Sequence, residues 1–261
     1  MSLIERALQK TDSEDDRGKS RSQHIKRRHG KISPTKALKD LQKMIERNPL
    51  SNKELTKLGI ATDRKTANNY RELRTELLKV THANNSVLAI SACKDNSGTS
   101  FVAKNLAVSF AQDSTKSALL VDCNFRNPSF AKTFDMDIGA DLTDYLTGDV
   151  AVEEIIYSVG VNNLRVIPSR ESRISEIDNF ATSSKLGELI YQLKNRYPDR
   201  YIILDVADMK SSADAKILDL IADYSVLVAG HDTVTEDELR IAIDGFNPSK
   251  FLGIIYNHCP S

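Results

Sequence analysis

Residues 86–112 read SVLAISACKDNSGTSFVAKNLAVSFAQ, and this stretch decides the fold. A short apolar run, SVLAISA, is followed by a polar turn, 91–100, which opens directly into an amphipathic run beginning at Phe101. A strand–turn–helix junction of this kind aims backbone N–H groups and the positive end of the helix dipole at a bound anion. The full phosphate-binding pattern GxxxxGK[ST] adds a lysine for the outer phosphates and a hydroxyl for Mg²⁺. Gly98 and Ser100 stand where that pattern requires them, but Thr99 occupies the lysine position and Cys93 replaces the first glycine.

Working outward, apolar strand-like runs alternate with helix-like ones. ALLVD (118–122), LRVIP (164–168), YIILDVA (201–207), SVLVAG (225–230) and FLGIIYN (251–257) are separated by helical patterns over 100–113, 180–196, 213–223 and 235–246. Hydrophobicity that is continuous rather than alternating implies burial on both faces, so a mostly parallel α/β sheet with helices on both sides is expected. Ligands of such sheets bind beyond the carboxyl ends of the strands. That rule selects the turn 91–100, the segment after ALLVD with Asp122 and Arg126, and the segment after YIILD with Asp205. Asp205 is placed as an Mg²⁺-holding carboxylate would be. Either aspartate alone is equally compatible with capping the next turn.

The 40% apolar content of 261 residues supports one substantial core plus an appendage. Lys+Arg and Asp+Glu balance at 36 each, yet residues 1–80 hold about 20 basic against about 11 acidic side chains. MSLIERALQK is read as a short amphipathic helix. Residues 11–31, acidic and then basic around Lys26, Arg27, Arg28 and Lys31, are read as a disordered linker. Ser33-Pro34 opens a helix of about 13 residues ending near Asn48-Pro49. A second amphipathic helix runs from Thr66 to Val80. The expected organisation is therefore 1–31 as helix and linker, 32–65 as a helical extension, and 66–261 as the nucleotide-type domain. Cys93, Cys123 and Cys259 lack paired spacing, and no apolar run approaches the ~20 residues that span a bilayer, so a reduced cytosolic setting is expected. His82, His231 and His258 lack metal-ligand spacing.

With these residues assembled, the sequence resembles the bacterial tyrosine kinases of capsule and exopolysaccharide export, within the deviant-Walker ATPases that include septum-site and partition proteins. Besides the three loops, the resemblance rests on YRELRT (70–75), LTDYLTG (142–148), LRVIPSR (164–170), SADAKILDLIADYSVLV (212–228) and FLGIIYN. It implies a P-loop fold binding ATP or ADP with Mg²⁺. Gly98, Thr99, Ser100 and Arg126 would lie about the phosphates, Ser100, Asp122 and Asp205 about the metal, and Asp122 and Asp205 would serve catalysis. Arg71 and Arg74 would belong to an oligomer-forming helix.

Each motif departs from the family pattern once at a sensitive place. Thr99 stands for the lysine, Asn124 for the second aspartate of DxD, Asp208 for a proline, and Asn68 for the glutamate of ExxRxxR. The terminal tyrosine cluster that serves as autophosphorylation substrate is not present in the sequence, which ends in YNHCPS. Loss of a cation about 4 Å from a phosphate is worth roughly 4 kcal/mol at an effective dielectric of 20, enough to move a micromolar site to about millimolar. Weak nucleotide binding and little turnover are expected, hence a regulatory or scaffold subunit of exopolysaccharide or capsule biosynthesis. Its partner would be an inner-membrane polysaccharide co-polymerase or an active paralogous kinase, holding it peripherally at the membrane. Homo-oligomers are compatible with this reading, and nucleic acid is the disfavoured partner. The alternative is an active tyrosine kinase or switch ATPase in which Lys94, at the position of the deviant-Walker signature lysine, replaces the missing cation, with Lys104 as a weaker substitute.

Overall fold

The computed structural model describes residues 50–81, 85–148, 150–171, 184–209 and 213–259, all within the compact unit Leu41–Ser261. The readings made for residues 1–31 and for the helix ending near Asn48-Pro49 lie outside the described residues, as does His82.

A seven-stranded sheet forms the centre, in the order β3-β4-β2-β5-β1-β6-β7. Its strands are β1 (Val87–Ala92), β2 (Ser117–Asp122), β3 (Tyr157–Ser158), β4 (Leu164–Ile167), β5 (Arg200–Asp205), β6 (Tyr224–Gly230) and β7 (Phe251–Asn257). β3 pairs antiparallel with β4, and every other pair is parallel. All six residues of β1 are buried, as are five of six in β2 and β5. This is the two-faced burial that their unbroken apolar composition implies.

The helices are α1 (Asn52–Lys57), α2 (Arg64–Val80), α3 (Thr99–Ala111), α4 (Phe130–Thr133), α5 (Leu142–Thr147), α6 (Ser184–Arg196), α7 (Ala213–Ile221) and α8 (Glu236–Ile243). Alternate strand residues feed two cores. Leu88, Ile90, Leu120, Ile203 and Val228 pack with Val102, Leu106 and Phe110 of α3 and with Tyr70 and Leu77 of α2. Ala89, Leu119, Val121, Ile202 and Leu204 pack with Leu186, Leu189 and Leu193 of α6, Leu218 of α7 and Ala242 of α8. Nearly all of α3 is buried, so the helix that follows the phosphate-type turn is a core element and holds that turn rigidly.

Two elements carry no signal in the strand–helix pattern. β3 is only two residues long, and α1 only six; the latter is fixed by a capping box between Ser51 and Glu54. Residues 58–61, between α1 and α2, dock on α3. The Lys104 ammonium donates to the Leu58 carbonyl at 2.6 Å, the Asn105 amide donates to the Gly59 carbonyl at 3.3 Å, and Ala61 N–H donates to Asn105 Oδ1 at 2.7 Å. LTDYLTG and LRVIPSR also lock together, Leu142 N–H donating to the Pro168 carbonyl and Arg170 pairing with Asp144 at 3.1 Å.

Candidate nucleotide site

Because β2, β5 and β1 are neighbours in the sheet, the three loops selected from the sequence come together at its carboxyl edge. They enclose a cavity of about 430 Å³. Gly98, Thr99, Ser100, Arg126, Asn124 and Asp208 are among the residues lining it.

The turn 93–98 is tied down on three sides. Cys93 N–H donates to the Val228 carbonyl at 2.9 Å, and Met209 N–H to the Ala92 carbonyl at 3.1 Å. The Asn257 amide, at the end of β7, donates to the Ser97 carbonyl at 3.0 Å. Gly98 caps α3 with φ of 83°, in the left-handed region that suits glycine. A Cβ there would also stand 2.1 Å from Asn257 Nδ2. The backbone conformation therefore calls for glycine, and any Cβ there would displace the Asn257 amide. Asn257 is a contributor that no sequence motif marks; its only trace in the sequence is a polar residue closing an apolar strand.

Thr99 is buried and lines the cavity, and its hydroxyl has no hydrogen-bond partner. Among the described residues lining the cavity, Arg126 is the single cation, beside the carboxylates of Asp95 and Asp208. Lys94 is not in the lining. Its ammonium pairs at 3.3 Å with Glu238 of α8, a residue that also closes that helix's capping box. Lys104 is buried under residues 58–59, and burial, partly offset by Asp205, lowers its pKa to about 8.

Asp122 and Asp205 are both wholly buried. Asp122 Oδ2 accepts from the N–H groups of Ser129 (2.9 Å) and Phe130 (3.1 Å), and Oδ1 accepts from Asn124 N–H (3.4 Å). It therefore anchors the loop that carries Arg126. Burial pushes its pKa up to about 7 against these hydrogen bonds, with the Asp141 charge adding to the rise. Neither oxygen of Asp205 has a formed hydrogen bond. Burial and then the Asp122 charge drive its pKa well above the carboxylate range. The Ser100 hydroxyl, close by but outside formed hydrogen-bond geometry, and Lys104 pull the other way.

Arg71 and Arg74 sit elsewhere, on α2. Arg71 is exposed and bonds Asn68 within its own helix. Arg74 donates to the Ser109 carbonyl in the last turn of α3, at 2.5 Å. Among the described residues no group of three or more His, Cys, Asp or Glu side chains is arranged to hold a metal ion.

A mostly parallel sheet carrying a glycine-capped turn at the start of a buried helix, with aspartates at the ends of two adjacent strands, defines a P-loop NTPase-like α/β fold. The chain is 31% identical over 192 residues to the tyrosine-protein kinase YwqD of Bacillus subtilis, covering 72% of this chain and 79% of that protein. It belongs to the bacterial tyrosine-protein kinase family. It spans about a quarter of the length of other, longer relatives. No family model matches the chain. Among solved structures it superposes on the chimerical protein CapA2B2 with a TM-score of 0.69 at 21% identity, covering 82% of this chain and 92% of that one. It also superposes on the septum-site-determining protein MinD of Pyrococcus horikoshii, solved with Mg-ADP, with a TM-score of 0.54 at 22% identity over 66% of this chain and 70% of that one. These likenesses are of fold.

Proposed function

We propose that this chain is a degenerate member of its family, acting in exopolysaccharide or capsule biosynthesis as a regulatory or scaffold subunit that binds ATP or ADP with Mg²⁺ weakly and turns it over little. The observation that carries this reading is the composition of the cradle: the buried, neutral Thr99 fills the lysine position, and Arg126 is the only cation in the described lining. Phosphoryl transfer depends on positioning and on stabilising charge, so a cradle with one cation beside two carboxylates favours neither triphosphate capture nor reaction.

The residues present do fit a divalent cation. Asp205 offers two buried oxygens without hydrogen-bond partners, next to the Ser100 hydroxyl, and a bound Mg²⁺ would relieve the charge that burial makes costly there. The metal would supply electrostatic neutralisation of phosphate oxygens. Ser100 and Asp205 would hold it, while Asp122 keeps the Arg126 loop in place. Arg126, exposed at the cavity mouth, is free to approach a bound phosphate.

The proposed partner is an inner-membrane polysaccharide co-polymerase or an active paralogous kinase, holding the protein at the membrane surface. No helix among the described residues is long and apolar enough to cross a membrane. Calorimetric titration with ATP and ADP, with and without Mg²⁺, together with an ATP-turnover assay, tests the reading. Dissociation constants near millimolar and negligible turnover are expected. Turnover at the rate of an intact family member, abolished by Lys94→Ala, would establish the active-kinase alternative instead.

A further inference from the structure

The opposite end of the sheet, where its strands begin, holds a second polar cleft. Across β3, β4, β2 and β5 the register pairs Ser158 with Arg165, Arg165 with Leu119, and Ser117 with Arg200. Cross-strand partners, and residues two apart on one strand, point to the same side. Ser158, Arg165, Ser117 and Arg200 therefore form a row on one face. They border a cleft of about 420 Å³ whose remaining wall is the turn 160–163, with the amides of Asn162 and Asn163.

Among the described residues no carboxylate lines this cleft. Both arginines are half-buried. Arg165 donates to the Leu164 carbonyl at 2.9 Å. Arg200 stacks on the Tyr197 ring at 3.6 Å and reaches Ser117 Oγ at 3.5 Å. Burial disfavours the charge on each and Tyr197 offsets this in part for both; the Arg165 charge disfavours that of Arg200 further, and the exposed Asp199 offsets only Arg200. Two like charges drawn out of water toward one another and facing a cleft are a costly arrangement unless an anion completes it. A guanidinium fork matches the oxygens of phosphate, and the hydroxyls and amides around it supply further donors.

We propose that this cleft is a binding site for a phosphate-class anion, either inorganic phosphate or pyrophosphate or the phosphoryl end of a sugar or nucleoside phosphate. It lies about one strand length, roughly 20 Å, from the nucleotide cradle. It stands independently of how that cradle behaves.

The test is calorimetric titration of the full chain with pyrophosphate, inorganic phosphate and glucose 1-phosphate at constant ionic strength, in Mg²⁺-free buffer. The unmodified protein, the Arg165→Gln/Arg200→Gln double variant and a Ser100→Ala variant are compared. Pyrophosphate binding is expected to weaken at least tenfold in the arginine variant and to persist in Ser100→Ala. Tighter binding of glucose 1-phosphate than of the inorganic anions would assign the site to a phosphate ester; the reverse would assign it to the free anion. Binding that survives in the arginine variant but disappears with Ser100→Ala belongs entirely to the cradle and overturns the proposal. Crystals of the unmodified chain soaked in tungstate give a reading independent of variant folding. Density between Arg165 and Arg200 is expected there, and its absence at full soak would overturn the assignment.

Discussion

Asp122 and Asp205 are register partners on the adjacent strands β2 and β5, both wholly buried, yet only Asp122 has its oxygens satisfied by its own chain. Two carboxylates so placed cannot both ionise without cost, and burial favours the protonated form of each.

The sign of the consequence follows from linkage. A carboxyl whose pKa is raised in the fold contributes stability that is complete below its unfolded value and is lost as pH rises through the folded one. For Asp122 that window runs from near 3.8 to about 7, and for Asp205 it extends in the same direction. Without Mg²⁺, the melting temperature should therefore fall between pH 5 and pH 8. Asp205→Asn should raise it at pH 8 by several degrees while changing it little at pH 5, and should abolish any stabilisation by Mg²⁺ with nucleotide. Melting curves across this range decide the matter; a variant less stable than the unmodified chain at pH 8 would mean that the charged carboxylate has a partner.

Thr99→Lys restores a cation to the cavity lining. Thr99 already borders the open volume, so the longer side chain has somewhere to go. A point charge near 4 Å from a phosphate is worth roughly 4 kcal/mol at an effective dielectric of 20. The ATP dissociation constant is expected to drop by about two to three orders of magnitude. An unchanged constant would show that lysine loss is not what limits binding.

Much of this was legible in the sequence, and the reason is local chemistry. Continuous apolar runs mark the parallel strands that order the sheet, and the turn at Gly98–Ser100 lines the cavity at its carboxyl edge, whereas the strand-end aspartates Asp122 and Asp205 are wholly buried and outside that lining. What escaped reading depends on side-chain direction or on partners remote in sequence. Lys94 stands at the signature position, yet its ammonium meets Glu238, 144 residues away. Asn257 clamps a turn 160 residues earlier. The position of Asp122 was readable, but not that its oxygens would be spent on the N–H groups of Ser129 and Phe130. β3 has too few residues to show a period, and α1 is too short for one, its only local mark being the capping-box residues in SNKE (51–54).

Gly98→Ala tests the clamp. The left-handed backbone costs an alanine roughly 1–2 kcal/mol, and the Asn257 amide obstructs its Cβ in addition. The single substitution should destabilise the protein by more than the backbone strain alone. Adding Asn257→Ala should recover the steric part and leave the strain. Denaturant melts of the two single variants and the double give this coupling directly, and strict additivity would mean that the clash relaxes without cost.

The two arginines of α2 should separate cleanly. Arg74 holds the Ser109 carbonyl at the C-terminal turn of α3, where a cation also complements the helix dipole. Arg74→Ala should cost about 1.5–3 kcal/mol, the worth of a hydrogen bond to a charged group. For a domain of this size that corresponds to a fall in melting temperature of about 2–4 °C per kcal/mol. Arg71 is exposed and, among the described residues, its guanidinium bonds Asn68 of its own helix, so Arg71→Ala should change stability by less than about 0.5 kcal/mol. If α2 serves self-association, Arg71→Ala will instead shift the mass measured by light scattering at fixed concentration. A melting temperature lowered equally by both substitutions would place Arg71 in the fold rather than at an interface.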